Sequence, residues 1–311
     1  MKNKKIAFVF PGQGAQYPGM GKEFAASFSI AKETFEEADE ILRENLSRIV
    51  FEGPQEFLTK TLYSQLGIFV TSAAIFRVFQ EQMPEMTPAI SSGLSLGEYT
   101  ALFASGRLSF QETLLLVKER ARLMNEACEK TVGTMAAVLG FPSEEIEKAI
   151  QGISGVWVAN YNCPGQVVIS GTKIGVEKAS LLLKEKGAKR VIPLEVHGAF
   201  HSPLMESAEK GLFAFVKIAP IQESKIQFVM NVTGDFVHSI EEIRKNLVSQ
   251  VTHCVRWEQG IRKMEEVELF LEMGPGKTLS GLNRKIGALG QTLSIEKPSD
   301  LDPIGAVCSN C

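Results

Sequence analysis

Gly93-Leu94-Ser95-Leu96-Gly97 sets a serine between two glycines directly after the apolar run that ends in Ala89-Ile90, and no other stretch restricts the local chain as much. A strand that turns at once into a helix forces the residue at the corner into a strained conformation. Glycines on either side remove the Cβ atoms that would collide there. The serine hydroxyl is then presented at a helix N-terminus, beside backbone N–H groups with no partner in the helix. The pentapeptide also fits an ordinary glycine-rich turn, so its meaning depends on partners elsewhere in the chain.

A chain of 311 residues, 44% of them hydrophobic, accommodates one large α/β domain or two smaller ones. Residues 5–10 read as a short buried parallel strand that ends in the loop Pro11-Gly12-Gln13-Gly14-Ala15-Gln16. This loop lacks the third glycine of a dinucleotide fingerprint and the Gly-Lys-Ser/Thr of a phosphate loop, so phosphate is not what its glycines serve. Helical patterns predict helices over about 23–44 and 64–82, the second apolar enough to be largely buried, then a strand near 88–92 and a helix over 98–104 that Gly106 closes. This order predicts a doubly wound α/β core, α/β-hydrolase-like, around a parallel sheet.

The middle of the chain has a different rhythm. Residues 134–139 read as a strand, 143–150 as a helix, and 156–160 with 166–170 as a strand pair around Asn162-Cys163-Pro164-Gly165. A helix over 175–186 and a strand over 190–196 follow. The order βαββαβ predicts a small ferredoxin-like subdomain over 130–197, inserted in a larger α/β subdomain made of 1–129 and 198–311. Such an insertion creates a cleft between two bodies, where ligand sites tend to lie.

A formal net charge of −3 argues against nucleic acid as the main ligand. The N-terminal apolar run stops at Pro11-Gly12, too short for a signal sequence, and no other segment reads as a membrane span. Five scattered cysteines, Cys128, Cys163, Cys254, Cys308 and Cys311, fit a reducing, cytoplasmic setting. Cys308-Ser-Asn-Cys311 has no second pair or neighbouring histidine to complete a metal site and reads as part of a partly disordered tail beyond about Ser294.

Activating a serine near neutral pH requires a base, and histidine suits the task. Of His197, His201, His238 and His253, His201 is best placed, because it stands where the inserted segment returns to the core. His197 lies at the end of a strand pattern, and His238 and His253 sit in polar contexts that predict surface positions.

Phe10-Pro11-Gly12-Gln13-Gly14, Gly93-Leu94-Ser95-Leu96-Gly97-Glu98, Arg120 with Leu123-Met124, Gly198-Ala199-Phe200-His201-Ser202 and Val255-Arg256-Trp257 occur in this order. From about Lys5 to Arg284 the series resembles the malonyl-CoA:acyl carrier protein transacylases of fatty acid synthesis and the acyltransferase domains of polyketide synthases. The resemblance implies a ping-pong transfer of malonyl from malonyl-CoA to the phosphopantetheine thiol of acyl carrier protein, with no metal and no cofactor. Ser95 is then the nucleophile and His201 the base. The backbone N–H groups of Gln13 and Leu96 form the oxyanion hole, Arg120 holds the malonyl carboxylate, and a backbone carbonyl near Gln250 orients the histidine.

On its own, Arg120 could equally belong to a charged helix face with Lys118, Glu119 and Arg122. Asn160 and Asn162 also match family positions, although a turn accounts for Asn162 as well. Two departures stand out: Leu94 precedes the nucleophile where the family usually has histidine, and His197 stands where a small polar residue is commoner. Lys184, Lys186, Lys189 and Arg190 offer a basic docking surface for an acidic carrier protein, or simply a solvated face. The competing readings are a serine hydrolase or thioesterase sharing the elbow, and a non-catalytic relative acting as a scaffold. An α/β hydrolase places an acid between its serine and a late histidine, and no acid occupies that place here.

Overall fold

A computed structural model describes residues 5–196 and 198–309, with side chains through Gly305. Among the described residues eleven strands form two sheets: β1 (Ile6–Phe10), β2 (Ile90–Gly93), β3 (Thr134–Leu139), β4 (Val156–Cys163), β5 (Gln166–Gly171), β6 (Arg190–Pro193), β7 (Gln227–Met230), β8 (Asp235–Val237), β9 (Val255–Arg256), β10 (Leu269–Met273) and β11 (Gln291–Ile295).

The first sheet has the order β11-β10-β1-β2-β7-β8 and is parallel except where β8 returns beside β7. Its central strand, Ile-Ala-Phe-Val-Phe, is buried at all five positions. Helices cover both faces of a parallel sheet, so both sets of alternating side chains must be apolar. The register pairs Phe10 with Gly93. The loop after β1 and the elbow after β2 therefore emerge side by side at the C-terminal edge of the sheet, where open α/β sheets carry their ligands.

The second sheet has the order β6-β3-β5-β4-β9, antiparallel except for the β4–β9 pair. The helices Ser143–Ile150 and Lys173–Glu185 bury Ile146, Ile150, Val176, Ala179 and Leu183 against its strands, giving this sheet a core of its own. The pairing of Asn160 with Val255 ties it to the segment that leads back into the first sheet.

The sequence reading needs correction in five places. The helix expected over 23–44 is two, Lys22–Ser27 and Ser29–Leu42, separated by an extended Phe28. The expectation that no segment has the makings of a membrane span fails for Thr61–Gln82, which is long and apolar enough. Yet 83% of its apolar window is buried inside the protein, where it packs on the helices Ser29–Leu42, Gly97–Ala104 and Phe110–Lys130. β4 runs through Cys163, so Asn162 belongs to a strand and the turn is Pro164-Gly165 alone. The strand expected over 190–196 stops at Pro193; beyond it the Leu194 N–H still donates to Met135 O at 3.0 Å and the Val196 N–H to Leu194 O at 2.9 Å, in a turn of 194–196 that lines the cleft. Of the segment beyond Ser294, the described residues are structured through Ser309: Ile295 and Ile304 are fully buried, and a helix spans Leu301–Ser309. His197 and Cys311 lie outside the described residues, as does the side chain of Cys308.

Candidate active site

The elbow forms because three close approaches exclude side chains. A Cβ on Gly93 would lie 2.0 Å from the carbonyl carbon of Gly97, one on Gly97 2.1 Å from the Phe10 oxygen, and one on Gly12 2.3 Å from the Leu94 oxygen. These contacts lock the loop after β1, the end of β2 and the helix Gly97–Ala104 together, and Ser95 is left at the corner with φ 53°. A left-handed backbone costs a non-glycine residue roughly 1–3 kcal/mol, which the surroundings must offset. Asn231, just beyond β7, helps to do so. Its Oδ1 accepts from the Ser95 N–H at 2.6 Å, and its Nδ2 donates to the Gly93 carbonyl at 2.8 Å.

His201 also has a left-handed backbone, φ 58°, fixed by its N–H donating to Val251 O at 3.0 Å. Its Nδ1 lies 2.8 Å from the Gln250 carbonyl oxygen and its Nε2 2.9 Å from Ser95 Oγ. A carbonyl only accepts, so Nδ1 carries the hydrogen and Nε2 presents its lone pair to the hydroxyl. Burial, and then the Arg120 charge, push this imidazole from 6.5 down to about 4. It is therefore neutral, and able to accept a proton, across the physiological range.

Arg120, in the middle of the helix Phe110–Lys130, is not on the charged face with Lys118 and Arg122. It is 1% exposed. Its Nη1 donates to Gln65 Oε1 at 2.6 Å; its Nη2 donates to Gln250 Oε1 at 2.7 Å and to Ser95 Oγ at 3.0 Å. Tyr99 lies under the guanidinium, 5.3 Å from ring centre to Cζ. All these acceptors are neutral, and among the described residues Nε has no partner and no carboxylate forms a salt bridge with Arg120.

A cleft of about 510 Å³ opens over the serine. Gln13, Leu94, Ser95 and His201 line it from one side, with Asn160, Asn162, Gln166 and Val168 from the antiparallel sheet on the other. Asn162 Oδ1 is buried without a partner among the described residues. Leu94 presents an apolar wall where a histidine would present a polar one. Leu96 is fully buried at the start of the helix Gly97–Ala104, and neither its N–H nor that of Gln13 has an acceptor among the described residues. His238 and His253 are exposed.

Four polar groups here escaped the sequence reading: Gln65, Glu98, Asn231 and the amide of Gln250, where only a backbone carbonyl was expected. Glu98 is the sole charged residue of the helix Gly97–Ala104, and Gln65 is a lone amide amid the apolar stretch of the helix Thr61–Gln82. Isolation in an apolar pattern was their only signal. Glu98 is 0% exposed; burial raises its carboxyl above the usual carboxylate range, while the Asn231 N–H, the Gln250 amide and Arg120 pull it down, and the donors that meet both of its oxygens require the ionised form.

Residues 7–283 match the acyl transferase domain family. The malonyl CoA-acyl carrier protein transacylase of Bacillus subtilis is 43% identical over 304 residues, covering 96% of this chain and 95% of the relative. The crystal structure of the malonyl CoA-acyl carrier protein transacylase of Clostridium perfringens superimposes with a TM-score of 0.93 at 37% identity, covering 98% of each chain. A type II polyketide synthase malonyl-transacylase, solved in complex with its acyl-carrier protein, gives 0.92 at 36% identity over 96% of this chain and 98% of that one. A parallel-sheet α/β fold, a serine elbow joined to a buried histidine, and relatives matched along nearly their whole length agree: the chain belongs to the acyl transferase domain family, among the malonyl CoA-acyl carrier protein transacylases.

Proposed function

We propose that this chain transfers the malonyl group of malonyl-CoA to the phosphopantetheine thiol of acyl carrier protein through a malonyl ester on Ser95. The observation that carries the reading is Arg120, a buried guanidinium held only by neutral oxygens, one N–H of which reaches the nucleophile. Burying a cation without an anion in direct contact is costly, and Glu98 reaches Arg120 only through the Gln250 amide. An acyl group that ends in a carboxylate and is esterified to Ser95 supplies that anion in the planar geometry a guanidinium binds best.

In the first half-reaction Ser95 Oγ attacks the thioester carbonyl while His201 Nε2 takes its proton. The tetrahedral oxyanion is held by the N–H groups of Gln13 and Leu96; one such donor is worth about 3–4 kcal/mol at the transition state. Collapse breaks the C–S bond, and His201 returns the proton to the departing CoA thiolate. In the second half, His201 takes the proton of the carrier thiol, whose sulfur attacks the ester carbonyl. Collapse breaks the bond to Oγ, which recovers the proton. The Gln250 carbonyl holds the imidazole in one tautomer throughout, in place of a triad carboxylate.

The exposed side chains of Lys184, Lys186, Lys189 and Arg190, at the end of the helix Lys173–Glu185 and the start of β6, are the proposed docking surface for the acidic carrier. We read the larger body, 1–129 and 198–311, as an α/β-hydrolase-like core and the smaller, 130–197, as a ferredoxin-like subdomain. The strand order β6-β3-β5-β4, with helices between its first and second and its third and fourth strands in sequence, supports the latter. The free thiols of Cys128, Cys163 and Cys254 favour a cytoplasmic setting.

Intact-mass measurement after mixing with malonyl-CoA tests the function. A malonyl adduct on Ser95, stable in buffer and discharged by holo carrier protein, is expected. Rapid discharge by water makes the protein a hydrolase, and no adduct makes it a non-catalytic relative.

A further inference from the structure

The Glu98 backbone N–H donates to the Ser95 carbonyl at 3.1 Å, but its carboxylate touches neither Ser95 Oγ nor His201 nor the cleft, and among the described residues it is the one carboxylate inside the network that surrounds Arg120. Its Oε1 accepts from the backbone N–H of Asn231 and its Oε2 from the amide of Gln250. The same Gln250 Nε2 donates to the Ser95 carbonyl at 2.9 Å, while Oε1 at the other end of that amide accepts from Arg120 Nη2 at 2.7 Å. A glutamine amide can ordinarily turn over, exchanging its oxygen and nitrogen. Here one end meets only acceptors, a carboxylate and a carbonyl, and the other meets only a donor, the guanidinium.

We propose that Glu98 is a positioning residue for acyl selectivity: by accepting from both Asn231 N and Gln250 Nε2, it fixes the Gln250 oxygen toward Arg120 and so aims the guanidinium at the acyl group on Ser95. This deepens the reading above and rests on Arg120 being the malonyl contact. Only a carboxylate can serve both donors. A glutamine at 98 has one acceptor and one donor end, so whichever way it turns, its NH2 faces either the Asn231 N–H or the Gln250 NH2. A Gln250 amide that turns over to relieve the clash presents its NH2 to Arg120, donor against donor. Arg120 then keeps Gln65 Oε1 and Ser95 Oγ but loses the Gln250 acceptor, the nearer of the two that fix the direction of Nη2. The other end of Glu98 bears on the elbow, because the Asn231 whose N–H it accepts also holds the Ser95 N–H and the Gly93 carbonyl.

The test compares the ratio of malonyl to acetyl transfer, as kcat/KM from the two CoA esters, in wild type, Arg120→Ala, Glu98→Gln and the double variant, with a melting curve for each. We expect Arg120→Ala to collapse the ratio and Glu98→Gln to lower it at least tenfold, with acetyl transfer reduced less than malonyl transfer. In the double variant the ratio should match that of Arg120→Ala alone, because the two residues act through one contact. Equal loss of malonyl and acetyl transfer in Glu98→Gln, or an additive effect in the double variant, overturns the proposal. If Arg120→Ala leaves the ratio intact, the reading of Arg120 itself fails. Should Glu98→Gln not fold, the ratio is read in Glu98→Asp, which keeps two acceptor oxygens but withdraws them by one methylene. A lowered ratio supports the proposal, and an unchanged one overturns it.

Discussion

Around the parallel sheet, Glu98, Arg107, Arg120 and Glu272 are all buried, together with His201 and the amides of Gln65, Asn231 and Gln250. The antiparallel sheet and its two helices bury no charged side chain. Their only buried polar residues are Asn160 and Ser170, and their lysines stand in solvent. The cleft lies where these two surfaces face each other. Fixed charges in a dry setting act strongly on reacting groups but must be held by complete hydrogen-bond networks. The parallel-sheet body supplies such networks and so carries the chemistry. A wall of neutral amides and apolar side chains asks much less of its surroundings and suits admitting and releasing a long, mostly uncharged pantetheine arm.

Substitutions should therefore differ sharply in kind between the two bodies. Ser95→Ala comes first: we expect loss of the malonyl adduct by mass and a fall in transfer of roughly 10⁴-fold or more. Residual adduct on another residue would break the assignment of the chemistry to the elbow. Next is Arg120→Ala, for which malonyl transfer should fall roughly 10²-fold further than acetyl transfer, measured as kcat/KM. Equal losses would mean that the buried charge serves the fold and not the acyl group.

The pH profile sharpens the same contrast. Because burial and Arg120 hold the His201 imidazole near 4, the acid limb of kcat/KM in the free enzyme should fall well below the usual 6.5, and it should move up when Arg120→Ala removes one of the two causes. In the unfolded chain the imidazole protonates near 6.5 and in the folded chain near 4, so the unfolded state binds more protons between these values. His201 therefore makes the protein less stable as pH falls through that window, and His201→Gln should flatten the slope of unfolding free energy there.

The smallest effect belongs to the other body. Reversing the charges of Lys184, Lys186 and Lys189 to glutamate should raise the KM for carrier protein several-fold, leave that for malonyl-CoA unchanged and shift the melting temperature little. If neither KM moves, the carrier docks elsewhere; if both move, the helix end takes part in binding CoA as well.

Much of this could be read along the chain because it depends on neighbours in sequence. The all-apolar run of β1, the alternation and helical periods of residues 134–193, and the glycines around Ser95 record local requirements: burial on both faces, one buried face, and no room for a Cβ. Ordered motifs also picked out Gln13, Ser95, Leu96, Arg120, His201 and Gln250. The hydrogen bond that holds the histidine runs to the Gln250 carbonyl as expected. The apolar pattern of 64–82 reads as a largely buried helix, which the structure bears out, but length and composition alone do not separate a core helix from a membrane span, and the packing on Thr61–Gln82 does.

The sequence by itself determined the elbow, the two rhythms of secondary structure and the choice of candidate reacting groups, because each is encoded in residues a few positions apart or in motifs of fixed spelling. Only the tertiary structure decided what state those groups are in. Arg120 looks like surface charge in its helix and becomes a buried cation because Gln65, 55 residues earlier, and Gln250, 130 residues later, close over it. Glu98 looks like a helix-start carboxylate and becomes the fixed point of an amide network because β7 and the Gln250 turn arrive beside it. Hydrogen bonds between residues far apart in the chain leave no period in the sequence, and desolvation is a property of the packed whole.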